Sequence, residues 1–79
     1  MPAPARSVAR ELIRQSLDLP SVVDRLDDDD DLAVGGIDSG EIVHIALRCE
    51  AVLGRALTGD ELGRLTSVGS VADLLGEGP

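Results

Sequence analysis

The chain has 79 residues, 43% hydrophobic with no aromatic side chain, and fifteen acids against seven arginines give a net charge of −8. That length allows one small domain, residues 1–79, with a core of Leu, Val, Ile and Ala and modest stability. The acidity excludes a nucleic-acid or anionic-membrane ligand, since both need a basic patch, and favours basic protein partners recruited by electrostatic steering.

Residues 1–5 are rich in Pro and Ala and read as a flexible tail. They lack the apolar centre of a signal peptide. No later apolar run reaches transmembrane length, so a cytoplasmic, monomeric protein is expected. Helical spacing follows. Val8, Ala9, Leu12, Ile13, Ser16 and Leu17 recur on one face, with Arg6, Arg10 and Arg14 opposite, and Pro20 stops the helix. From Leu19 to Ile37 no periodicity persists. This is expected to be a long structured loop anchored by Val22, Val23, Leu26, Leu32 and Val34, and a loop of that length is usually functional.

A second helix is expected from Asp38-Ser39 to about Gly54. At 100° per residue, Val52, Ile45, Cys49, Ile42, Leu53 and Ala46 form a continuous apolar arc, with Glu41, His44 and Arg48 opposite. Val43 and Leu47 fall on the edge shared with Ser39 and Glu50. Thr58-Gly59-Asp60-Glu61 fits a capping box opening a short helix with Leu62 and Leu65. Ser67 is placed to cap a last helix with Val68, Val71, Leu74 and Leu75 inward, ended by Gly76. With no strand alternation and no repeat, the expected fold is all-α: a four-helix bundle with a short third helix and a long first loop.

The segment Gly36-Ile37-Asp38-Ser39-Gly40-Glu41 holds the chemistry. A serine at a helix N-terminus meets unpaired N–H groups and the positive dipole end, which suit an attached phosphate. An adjacent carboxylate suits magnesium. The segment resembles the attachment motif of acyl and peptidyl carrier proteins, usually Gly-x-Asp-Ser-Leu, and the resemblance covers nearly the whole chain.

The resemblance implies an acyl-carrier-like bundle that is no enzyme itself. A phosphopantetheinyl transferase would place 4′-phosphopantetheine from coenzyme A on Ser39, with Asp38 helping to position magnesium. Val43, Leu47 and Glu50 would form a partner-recognition face on the second helix. The partners implied are acyl- or aminoacyl-loading enzymes, acyltransferases and synthases. The function implied is that of a freestanding carrier in polyketide, fatty-acid or related specialised metabolism such as antibiotic biosynthesis. The alternative is a peptidyl or aminoacyl carrier of nonribosomal peptide synthesis. Gly40 departs from the pattern by removing the usual apolar contact beside the serine, which bears on partner choice.

Rival readings are weaker. Asp27, Asp29, Asp31 and Asp38 match some positions of a calcium-binding EF-hand loop, but Leu32 stands where its turn needs glycine. A charge run is usually a solvated face, so no metal site is expected. An unmodified or calcium-responsive helical interaction module is the reading outside the carrier class. His44 points away from Ser39, and no nucleophile elbow surrounds the serine. The lone Cys49 and the lone His44 exclude a disulfide framework and a His/Cys metal set. Cys49 lies at the centre of the apolar arc, as a buried, inert thiol would.

Overall fold

A computed structural model describes residues 5–77. Four α-helices form the domain: α1 Ala5–Ser16, α2 Ser39–Leu53, α3 Gly59–Gly63 and α4 Val68–Glu77. No strand occurs among the described residues. Of the tail expected over 1–5, residues 1–4 lie outside the described part, and Ala5 is the first residue of α1, partly buried against the core.

α1 buries Ala9, Leu12, Ile13 and Ser16. Ser16 is tolerated there because its hydroxyl donates to the Leu12 carbonyl at 2.8 Å, within the helix itself. Val8, expected on the same face, is exposed. The helix turns its inner stripe mainly onto α4, whose Val68, Val71, Ala72 and Leu74 are buried. Ile45, Ala46, Cys49 and Leu53 of α2 close the other side. Val52 was expected in that arc but is 57% exposed. It lies on the arc's outer margin, where Val8 and Ala51 share a shallow groove with it instead of covering it.

The expected loop contains a 3-10 helix, Pro20–Arg25, with Pro20 in its first turn. Proline suits that place because its missing N–H needs no partner there. Val23, Leu26 and Leu32 anchor the segment as expected, with Val22 half-buried. Val34 is not an anchor, being 87% exposed. The anchor at that end of the loop is Ile37, buried just ahead of α2.

The arginines of α1 each hold a partner in the fold. Arg10 donates to the carbonyls of Val23 at 3.1 Å and Leu26 at 2.9 Å, and to Asp28 Oδ1 at 2.7 Å. Arg6 holds Asp28 Oδ2 at 2.9 Å, and Arg14 holds Asp24 at 2.7 Å. The loop is then stitched to the far side of the fold. The Gly69 N–H donates to the Asp28 carbonyl at 2.7 Å, and the Leu32 N–H to the Thr66 carbonyl at 2.8 Å. Glycine at 69 permits this approach, since a Cβ there would sit 3.1 Å from the Asp28 oxygen.

Both short-range caps read from the sequence form. Thr58 Oγ1 accepts from the Glu61 N–H at 3.2 Å while Glu61 Oε1 accepts from the Thr58 N–H at 2.9 Å. Ser67 Oγ accepts from the Ser70 N–H at 3.1 Å. Gly76, expected to end α4, lies inside it, and the helix runs on to Glu77. A Cβ at 76 would meet Ala5 Cβ at 3.5 Å, so this glycine sits where α4 and α1 run close together.

Candidate functional site

The approach to Ser39 is a built turn. Asp31 Oδ1 accepts from the N–H groups of Ala33 at 2.8 Å and Val34 at 3.1 Å. The Asp31 carbonyl accepts from Gly35 at 3.0 Å, and the Leu32 carbonyl from Ile37 at 3.0 Å. Leu32 and Ile37, both buried, pin the two feet of this turn to the core. Gly36 has φ +102°, a left-handed conformation that side-chain-bearing residues rarely adopt. That reversal delivers the chain into α2.

Asp38 is the N-cap of α2. Its Oδ1 accepts from the Glu41 N–H at 2.8 Å, and Glu41 Oε1 accepts from the Asp38 N–H at 3.1 Å. The other Glu41 oxygen accepts from the Asp18 N–H at 3.0 Å, tying the end of α1 to the head of α2. Glu41 was expected on the face opposite the core. It is half-buried here because it caps a helix and bridges a loop.

Ser39 is therefore not the cap but the first residue of the helix. It is exposed, and its hydroxyl has no hydrogen-bond partner among the described residues. The N–H groups of Ser39 and Gly40 fall in the first turn, where a helix offers them no internal acceptor. A Cβ at Gly40 would meet only Asp38 Oδ1, at an ordinary 3.4 Å, so the fold itself leaves room for a side chain.

Beyond Ser39 on α2, Val43 and Leu47 are 55% and 57% exposed. Glu50 is half-buried, and its Oε2 accepts from the Leu57 N–H at 2.8 Å, so part of this residue's work is to hold the turn after α2. His44 is exposed. Cys49 is fully buried, and burial, with a smaller push from Glu50, raises its thiol to about 11.

Three carboxylates of the acidic run 27–31 are taken up by the fold, and those of Asp27 and Asp29 face solvent. Asp28 takes Arg6 and Arg10, Asp31 builds the turn, and Asp30 accepts from the Asp27 N–H at 2.8 Å. Among the described residues no cluster of three or more acids, His or Cys is disposed to hold a metal ion. Among the described residues no helix is long and apolar enough to cross a membrane.

A small helical domain that presents an exposed serine at the head of its longest helix is the architecture of a carrier, a scaffold for a covalent arm. Residues 7–75 match the family described as "Phosphopantetheine attachment site", and the chain belongs to that family. Its prosthetic group is 4′-phosphopantetheine. No curated protein and no solved structure matches the chain. The features that sequence reasoning missed were Ile37 and Glu41. Ile37 could have been found as the apolar residue inside the Gly-x-Asp-Ser segment. Glu41 could have been found as the Glu three residues after Asp38, the spacing of a capping box.

Proposed function

We propose that Ser39 carries the phosphopantetheine arm and that the chain holds acyl groups on it for successive biosynthetic enzymes of polyketide, fatty-acid or related specialised metabolism. The supporting observation is the free, exposed Ser39 hydroxyl at the head of α2, inside the matched span. The residues present fit the group. A phosphate on Ser39 would lie at the positive end of the helix dipole, beside the N–H groups of the first turn. Oδ1 of Asp38 is committed to the cap, and its other oxygen, facing no partner, is suited to a magnesium ion arriving with coenzyme A.

In loading, Ser39 Oγ forms a bond to the phosphorus next to the pantetheine arm. The pyrophosphate P–O bond of coenzyme A breaks, adenosine 3′,5′-bisphosphate leaves, and the serine proton passes to a base of the transferase. The arm supplies a flexible thiol that holds the acyl group as a thioester. The domain contributes no catalytic side chain. Its work is presentation, and tethering raises the substrate's effective concentration at each partner.

Partners reaching Ser39 pass over Val43 and Leu47, which supply an apolar strip, with the Glu50 carboxylate at its edge. A matching partner offers an apolar recess rimmed by Arg or Lys. Incubation with coenzyme A, magnesium and a broad-specificity transferase should add the mass of one phosphopantetheine, localised to Ser39 by peptide mapping. No gain, or a gain elsewhere, overturns the assignment. Loading by acyltransferases but not by amino-acid-adenylating enzymes is expected, and the reverse would make the chain a peptidyl carrier.

A further inference from the structure

We propose that the groove between α1 and α2 receives an amphipathic helix of the enzyme that loads the arm, with a carboxylate of that helix on Arg48. This deepens the proposed function, because it rests on Ser39 bearing the arm and on partners approaching over Leu47. Two adjoining hollows of about 460 and 340 Å³ form the groove, and Gln15, Arg48 and Ala51 line both. The groove follows α1 from Ser7 to Ser16. That is about 14 Å at 1.5 Å per residue, between two and three helical turns. Leu12 is its buried floor, and Val8 and Val52 stand uncovered at its rim.

The walls decide the shape of the occupant. Both are helix interiors, whose backbone N–H and C=O groups are already paired within the helix. An extended peptide would find no backbone partner there. A helix arrives with its own backbone satisfied and needs only an apolar face.

Charge decides its chemistry. The one acid lining the groove is Glu11, and both of its oxygens are taken, by Arg14 at 3.0 Å and Gln15 at 3.2 Å. Arg6, Arg10, Arg14 and Arg55 each hold a carboxylate of the fold. Arg48 holds none among the described residues, and its described hydrogen bond is a long one, 3.4 Å to Gln15 Oε1. A guanidinium beside apolar surface is suited to a carboxylate, which it meets with two parallel N–H bonds. In a chain of net charge −8, the groove is thus a place where the unmet charge is positive.

Position decides whose helix it is. Leu47 belongs both to the strip beyond Ser39 and to the second hollow, so an enzyme seated on that strip reaches the groove without a gap. Arg48 is nine residues beyond Ser39, about 13.5 Å along α2 and on the opposite side of it. A transferase needs only the hydroxyl at the helix head. An enzyme acting on the arm's thiol works at the far end of the arm and can seat on this flank. A second copy of the chain fits badly. A stable dimer buries about 800 Å² on each partner, more than a groove this short offers, and it would set −8 against −8.

The test uses the full chain bearing the arm and an acyltransferase that loads it. Mass gain on Ser39 and acyl loading of the parent come first, and failure of either overturns the proposed function and this inference with it. Arg48→Glu and Val52→Glu alter exposed side chains and should leave circular dichroism and modification by the transferase unchanged. Each should lower kcat/KM for acyl loading about tenfold, through KM, as a like charge set against the partner's carboxylate does. Unchanged acyl loading in either variant would overturn the inference alone, and so would an equal loss of transferase modification.

A photo-cross-linker on Val52→Cys, in a chain whose arm lacks its thiol, identifies the occupant. It should attach to a helical segment of the acyltransferase that carries an apolar seam and an Asp or Glu. Changing that acid to Lys should restore most of the loading lost in Arg48→Glu. No attachment, attachment to a non-helical segment or to a second copy of the chain, or no restoration by the charge swap would each overturn the inference.

Discussion

Arg10 and Ser39 differ in how far the fold satisfies them. Arg10 donates to two loop carbonyls and to Asp28, whose own carbonyl takes the Gly69 N–H, so α1, the loop and α4 hold one another. At the head of α2 the turn is equally well built up to Asp38, but the next residue presents a hydroxyl with no partner. Val43 and Leu47, further along the same helix, are likewise uncovered. The lesson is a division of labour within 79 residues. One side closes its polar groups on itself and sets stability, and the other leaves a hydroxyl and two apolar side chains uncovered.

Ser39→Ala gives the sharpest contrast. It should abolish modification completely while leaving the melting curve unchanged, read by intact mass and circular dichroism. Residual modification would break the comparison at its functional end. Leu53→Ala empties a buried position and should cost about 3 kcal/mol in urea unfolding. Arg10→Ala takes the donor from the Leu26 carbonyl and leaves Asp28 with Arg6 alone; it should cost about 2 kcal/mol, with loading by the transferase unaffected once the protein is folded. If Arg10→Ala instead slowed loading at unchanged stability, the two regions would not be separable.

Leu47→Ala tests the open side. It should change stability by less than about 0.5 kcal/mol. Turnover with a partner enzyme should weaken by about 1–2 kcal/mol. A loss of stability matching that of Leu53→Ala would place Leu47 in the core. The smallest effect is a pH dependence at α3. Bidentate bonding from Arg55, helped by the Thr58 N–H, holds the Glu61 carboxyl at about 2, below its ordinary 4.5. A depressed folded value means that the stabilisation is present above pH 4.5 and is lost as pH falls toward about 2. Glu61→Gln should therefore lower stability slightly at pH 7 and flatten acid denaturation over that window, so that variant and parent converge toward pH 2.

The helices were legible because their signals are local. Ala9, Leu12 and Ile13 repeat at the helical period, and Thr58 with Glu61 declares a helix start within four letters. The Ser39 segment was legible for the same reason. What escaped depends on partners distant in the chain. Arg10 looked like a solvent residue because its acceptors lie 13 to 18 positions away and two are backbone carbonyls, which no sequence pattern marks. Val52 and Val34 looked like core because a wheel or an apolar letter gives direction but not what lies opposite. Gly76 looked like a stop, but a glycine can equally mark where a neighbouring helix comes close, as Ala5 does here.

Cys49 bears on the chemistry of transfer from a position where it takes no part. A thioester on the arm is vulnerable to any nearby thiolate, which would take the acyl group by exchange and strand it on the wrong sulfur. With its thiol near 11, only about one Cys49 in ten thousand is ionised at neutral pH, and its burial shields even that fraction. The domain thus keeps its single native thiol silent, so the arm's thiol is the one reactive thiol the modified carrier displays. A maleimide probe should accordingly label the native protein only after the arm has been attached.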